Sequence, residues 1–183
     1  MRTVIFAINT SLDGYCDHTL FNPSEEVHAY FTNLMAEVDL VFYGRIMYQL
    51  MFPFWAEVAQ NQTGSADEIR FAQRLTAIDK VVVSRSLDKL ENHTRIVRSH
   101  PAEELLKLKQ QTGKKIAVDS ISLLPELLAA GLIDEFHLVV HPVLVGKGRR
   151  LMDNSSLPEK LPLRLMDTLV FKSGGVALHY VKP

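Results

Sequence analysis

The chain has 183 residues, 20 Lys+Arg against 21 Asp+Glu, a net charge of -1 and a hydrophobic fraction of 47%. This suits one compact domain with a substantial core, excludes a surface built to coat nucleic acid or anionic membrane, and offers no apolar run near the ~20 residues of a membrane span. The stretch Val4 to Ile8 is shorter than a signal-peptide core, and the single cysteine, Cys16, excludes a disulfide framework or cysteine-based zinc cluster and suits a reducing cytoplasm.

Residues 3–9 (TVIFAIN) form a β-branched apolar run ending at Ser11-Leu12-Asp13-Gly14, which reads as a strand and turn. Asn22-Pro23-Ser24-Glu25 opens a helix whose Val27, Phe31, Leu34, Met35 and Val38 recur at helical spacing. Residues 39–43 (DLVFY) read as a buried strand running into Gly44-Arg45. A short helix follows to about Phe52, where Pro53 is expected to stop it. After a polar loop at 60–64, Ser65-Ala66-Asp67-Glu68 is a capping box opening a helix to about Thr76. Residues 80–84 (KVVVS) are the next strand. Residues 101–112 form a helix with Pro and acid at its start, a Glu103–Lys107 pair and Gly113 beyond it. A short strand at 116–118 precedes a helix with its N-cap near Ser122 and its end at Gly131. Residues 135–141 (EFHLVVH) are a strand stopped by Pro142, and 161–171 with 176–181 make a closing antiparallel hairpin. The alternation specifies an α/β domain with a mostly parallel sheet, helices on both faces and antiparallel pairing at one edge.

In such sheets ligands sit beyond the carboxyl ends of the strands, against helix N-termini. Three strand ends carry suitable residues: Gly44-Arg45, Ser84-Arg85-Ser86, and Asp119-Ser120. A guanidinium with backbone N–H groups suits phosphate, while Ser-Arg-Ser also reads as a solvated turn. His28 lies at the edge of the apolar stripe of the first helix, where it can face a pocket or serve as a boundary histidine with one hydrogen bond. His137 and His141 share a strand face, but two histidines without a third ligand do not specify a metal site. Met47, Tyr48, Met51, Phe52, Phe54 and Trp55 form a patch that reads first as core and second as a wall for a flat ligand. Lys147, Arg149 and Arg150 read as a solvated loop.

Ser11-Leu12-Asp13-Gly14-Tyr15, Gly44-Arg45-x-x-Tyr48, Val83-Ser84-Arg85-Ser86-Leu87, and the block from Gly131-Leu132-Ile133-Asp134-Glu135 through Pro142 to Leu151 occur in order. They resemble the dihydrofolate-reductase-like family, which includes the C-terminal reductase domain of the riboflavin-biosynthesis deaminase–reductase. The resemblance covers nearly the whole chain, 1–183, as one domain. It implies a three-layer α/β/α fold with a mixed central sheet, NADPH binding, hydride transfer to a small heterocyclic or carbonyl substrate, and a homodimer. By resemblance, Arg45 contacts phosphate, Ser84 and Arg85 grip the adenosine 2′-phosphate with Ser86 beside them in the cofactor-binding set, and Asp13 and Gly14 border nicotinamide and substrate. His28 lies on the helix where folate reductases place an acidic substrate-binding residue, which makes His28 and Asp13 the catalytic candidates.

The chain departs from that pattern at three places. Asp119-Ser120 stand where the family has Gly-Gly or Gly-Ser against the pyrophosphate, and a carboxylate there is repulsive. Met47 replaces a phosphate-binding Thr. Tyr15 follows Asp13-Gly14 in place of the Lys of the riboflavin-pathway reductases. Asp119 and Met47 keep open a second reading, a non-catalytic ligand-binding relative that has lost the cofactor. A nucleic-acid binder would rest on Lys147–Arg150 alone.

Overall fold

The computed structural model describes residues 1–88, 90, 93–152 and 160–183. Among them, eight strands form one sheet in the order β4-β3-β2-β5-β1-β6-β8-β7. Strands β1 (Val4–Ser11), β2 (Val38–Gly44), β3 (Asp79–Val83), β4 (Thr94–Val97), β5 (Lys115–Asp119) and β6 (Glu135–His141) run parallel. The closing pair, β7 (Arg164–Val170) and β8 (Val176–Val181), is antiparallel and joins through β8 to β6.

Strand alternation sends successive side chains to opposite faces, and each face has its own core. Ile5, Val41, Tyr43, Val82 and Ala117 pack beneath α1 (Glu25–Ala36), α2 (Arg45–Asn61) and α3 (Ala66–Ala77). Val4, Phe6, Phe42, Ile116, Val118 and Phe136 pack beneath α4 (Pro101–Gln110) and α5 (Leu124–Ala129). The mixed α/β/α architecture expected from the alternation is the one observed.

Three local expectations change. Helix α2 continues through Pro53 to Asn61 instead of stopping at Phe52. Pro53 lies on the exposed side, so the carbonyl it leaves without an amide partner can face water. Beyond it the helix buries Trp55 and Val58, worth roughly 1.5–3 kcal/mol each and enough together to offset the ~3 kcal/mol cost of an internal proline. Strand β4 has four residues and no alternating pattern long enough to read in the sequence. Helix α5 begins at Leu124, and Ser120, not Ser122, accepts from the backbone N–H of Leu123. The capping box is as read: Ser65 accepts from the Glu68 amide, while Glu68 accepts from the Ser65 amide at 2.7 Å.

The N-terminal edge of the sheet is laced with ion pairs. Arg2 pairs with Asp39, Lys109 with Asp134, and Lys115 lies 2.9 Å from both Glu37 and Glu135. These pairs tie the starts of β1, β2, β5 and β6 to each other and to the end of α4.

Candidate functional site

Chain direction decides where the ligand face lies. From β1 to β4 the connections carry the chain one way across the sheet over α1, α2 and α3; α4 then returns it on the opposite face to β5, between β2 and β1. The connections leaving β1 and β5 therefore depart to opposite faces, and a crevice opens between the carboxyl ends of these neighbouring strands.

A cavity of about 120 Å³ lies there, roughly ten times what one buried water requires. Its floor comes from Ala7, Ile8 and Asn9 of β1, Tyr43 of β2 and Val118 and Asp119 of β5. Helices α1 and α2 supply the walls, with His28 among them. The His28 ring meets Trp55 edge-on, centroids 6.1 Å apart, and burial holds its pKa below the ordinary histidine value although Glu68 pulls the other way. At neutral pH its imidazole is uncharged.

Asp119 pairs in register with Tyr43, so both side chains point from adjacent strands toward the α1–α3 side. Burial pushes the Asp119 carboxyl up to about 7. Near neutrality it is about half protonated and below it mostly so, which reduces the charge repulsion expected of a carboxylate at this position. The Tyr43 hydroxyl, fully buried, has no hydrogen-bond partner among the described residues, and burial and Asp119 push its pKa up.

Outside the cavity the rim carries the cationic residues. Register aligns Tyr43 with Asp119, Gly44 with Val83, and Val83 with Val97. Asp119-Ser120, Gly44-Arg45, Ser84-Arg85 and Arg98 therefore follow one another along the carboxyl edge. Arg45 is exposed at the first residue of α2, 3.1 Å from Gln49 Oε1, and α2 begins with no side-chain cap on its free N–H groups. Arg85 and Ser86 are exposed. The buried Ser84 hydroxyl accepts from the amides of Ser86 and Leu87, at 3.2 and 3.0 Å, which shapes the loop presenting Arg85. Arg98 donates to the Ser84 carbonyl at 3.1 Å; nothing in the sequence points to it, because β4 is too short to be legible there.

Gly44 has an ordinary extended backbone, so no special turn demands it. A Cβ there would collide with the Ser120 hydroxyl. The glycine makes room for Ser120, whose side chain occupies space that a glycine in its place would leave open.

Asp13 does not line the cavity. It accepts from the Ser11 hydroxyl at 2.6 Å and from the amides of Val145 and Gly146, and these bonds, the Ser11 bond first, hold its carboxyl down to about 2. It fastens the loop after β1, in which Gly14 takes the left-handed conformation (φ +83°), to the loop after β6. Asp17 accepting from the Arg149 amide and Tyr15 donating to the Gly146 carbonyl complete the clasp. Arg150 lies over the Tyr15 ring at 4.9 Å, so it is engaged in this clasp rather than merely solvated. Cys16 and His18 of the fastened loop reach the cavity wall.

The histidine pair also regroups. His141 turns to Asn9, Nε2 to Oδ1 2.8 Å, while His137 stacks on His179 and approaches Glu135. Glu135, His137 and His179 thus bring together three residues with ligating atoms where the sequence offered two histidines. The Lys115 ammonium, 2.9 Å from Glu135, already supplies a cation to that carboxylate.

Residues 2–177 match the family described as the RibD C-terminal domain. The chain belongs to that family. Among its relatives, the uncharacterized protein YyaP of Bacillus subtilis is 27% identical over 187 residues, covering 98% of this chain and 94% of that one. A putative riboflavin biosynthesis protein from Shewanella sp. PV-4 superposes with a TM-score of 0.74 at 21% identity, over 100% of this chain and 99% of that one. Dihydrofolate reductase from Enterococcus faecalis, complexed with NADP(H), gives 0.62 at 10% identity, over 98% and 96%. At these identities the two structures establish a shared RibD-type and dihydrofolate-reductase-like fold. No helix among the described residues is long and apolar enough to cross a membrane.

Proposed function

We propose that the chain is an NADPH-dependent reductase acting on a small heterocyclic or carbonyl compound. The observation that carries this is the order along the carboxyl edge, from Arg98 and Arg85 through Arg45 to a cavity holding His28 and Asp119. That order matches what an extended dinucleotide needs, phosphate contacts at one end and a shielded reactive ring at the other.

The residues present fit such a cofactor. Arg85, Ser86 and Arg98 would hold the adenosine phosphate, and Arg45 with the uncapped start of α2 would hold the pyrophosphate. Ser120 offers a hydroxyl where glycine would offer space. Bound NADPH would supply the electron pair, as hydride. The protein supplies the rest: apolar walls that exclude water, a loop fastened by Asp13, and a proton. Asp119, titrating near neutrality, can hold that proton, and His28, a neutral imidazole lining the same cavity, can relay it, taking a proton on one ring nitrogen as it gives up the proton on the other.

Titration with NADPH and NADH, followed by cofactor fluorescence, tests the reading. Saturable binding with a preference for NADPH is the expected result; no saturable binding of either at millimolar cofactor overturns it. The second reading, a ligand-binding relative without cofactor, is favoured by Asp119, Met47 and the Ser120 side chain packed against Gly44. Under it, NADPH affinity emerges only in the Asp119→Gly variant.

This proposal includes a homodimer and a cytoplasmic setting, with neither nucleic acid nor membrane as partner. Supporting the dimer, β7 is exposed along its whole length and presents Leu165, Met166, Leu169 and Val170 at the sheet edge. Sedimentation at micromolar concentration, with Leu169→Lys as control, tests it: a wild-type monomer overturns the dimer.

A further inference from the structure

Charge is divided along the carboxyl edge. The arginines Arg45, Arg85 and Arg98 stand at the ends of β2, β3 and β4, and none of them lines the cavity between β1 and β5. No lysine or arginine lines it at all among the described residues. Its titratable groups are shifted toward their neutral forms: His18 and His28 lie below the ordinary histidine value, and Asp119 lies well above the ordinary carboxyl value. Phe31, Met35, Met47, Met51, Trp55 and Phe71 supply aromatic and thioether walls, surfaces that suit a flat ring and adapt to its outline. Among the buried polar atoms of its lining residues, the Tyr43 hydroxyl is the one without a hydrogen-bond partner among the described residues. Such an orphan costs about 1–3 kcal/mol unless something answers it.

We propose that this cavity takes an uncharged, ring-bearing compound with one polar edge, such as an aromatic carbonyl, and rejects phosphorylated sugar derivatives. The ring lies between the α1 and α2 walls, and the polar edge meets the Tyr43 hydroxyl. A phosphate dianion carried into these walls would find no cation, and burying an unpaired charge is prohibitive. This deepens the reductase reading and rests on the cavity being the acceptor site of that enzyme.

Trp55 is the single tryptophan of the chain and stands in the cavity wall, so its emission reports occupancy without any turnover. Two probes are titrated into the full chain, 1-naphthaldehyde and 5-amino-6-(5-phosphoribosylamino)uracil, following Trp55 emission with calorimetry as a second readout. Saturable naphthaldehyde binding, about a hundredfold or more tighter than the phosphorylated probe, is expected. Equal or tighter binding of the phosphorylated probe, or no binding of either, overturns the proposal. Tyr43→Phe removes only the orphan hydroxyl and leaves the core filled. It is expected to weaken naphthaldehyde several-fold, on the scale of one hydrogen bond, and to leave plain naphthalene unchanged. Equal effects on both overturn the polar-edge assignment. NADPH is titrated separately: naphthaldehyde binding without NADPH binding upholds the cavity assignment and sinks the reductase reading, while the reverse sinks the cavity assignment alone.

Discussion

The two edges of the sheet treat charge in opposite ways. At the amino edge Arg2, Lys109 and Lys115 each meet a carboxylate, and the paired groups join strands to one another. At the carboxyl edge Arg45 and Arg85 have no carboxylate partner among the described residues, the Tyr43 hydroxyl has no partner, and Asp119 is held toward its neutral form. A buried group whose bonding is complete within the chain serves the fold, whereas exposed guanidiniums without a carboxylate partner are free to meet water or a ligand. Under the proposed reductase function, the amino edge holds the fold together and the carboxyl edge meets cofactor and substrate.

The largest expected effect separates the two edges most directly. His28→Gln should lower kcat by about 10²–10⁴ while leaving NADPH affinity and thermal midpoint nearly unchanged; a loss confined to KM would assign His28 to binding instead. Next, Asp134→Ala strips the carboxylate from the nearly buried Lys109 and from the Val4 amide, which it meets at 2.8 Å. Unfolding in urea should show a loss of about 3 kcal/mol with cofactor affinity intact. Arg85→Ala should do the reverse, costing about 10- to 100-fold in NADPH affinity, less for NADH, with no change in stability.

The smallest effect lies in Asp119. Its folded pKa, about 7, stands above the unfolded value, so the stability it contributes is present below about pH 4 and is lost as pH rises through 7. Asp119→Asn should therefore stabilise the protein by roughly 1–3 kcal/mol above pH 7 and by little near pH 4. Urea midpoints at the two pH values check this. A gain equal at both would mean that the carboxyl does not titrate as its burial implies. His28 works in the opposite sense: its depressed value contributes stability above pH 6.5 that is lost on acidification.

The sequence declared its strands where apolar runs were long and its helices where caps were explicit, as at Ser65 and Glu68. It did not declare β4, which is four residues long, or the passage of α2 through Pro53, which depends on Trp55 and Val58 finding a core beneath them. At the site, Arg45 and Arg85 were legible because their neighbours are turn residues, whereas Arg98 was not, because it follows the short β4. The raised pKa of Asp119 was not, since it follows from burial opposite Tyr43, a partner that only the strand order brings alongside. The fastening role of Asp13 was hidden for the same reason: the amides it accepts from lie more than a hundred positions away.

Gly44 and Ser120 constrain which sequences this fold can reach. A methyl group at 44 collides with the hydroxyl at 120, so Gly44→Ala alone forces the Ser120 side chain to move, whereas Ser120→Gly first clears the way. The pair is thus crossed more easily in one order than the other, and the two substitutions are non-additive: a double-mutant cycle should show Gly44→Ala nearly silent once Ser120→Gly is in place. Descendants of this chain that carry a larger residue at 44 would then be expected to have passed through glycine at 120, leaving history written as the order of two small steps.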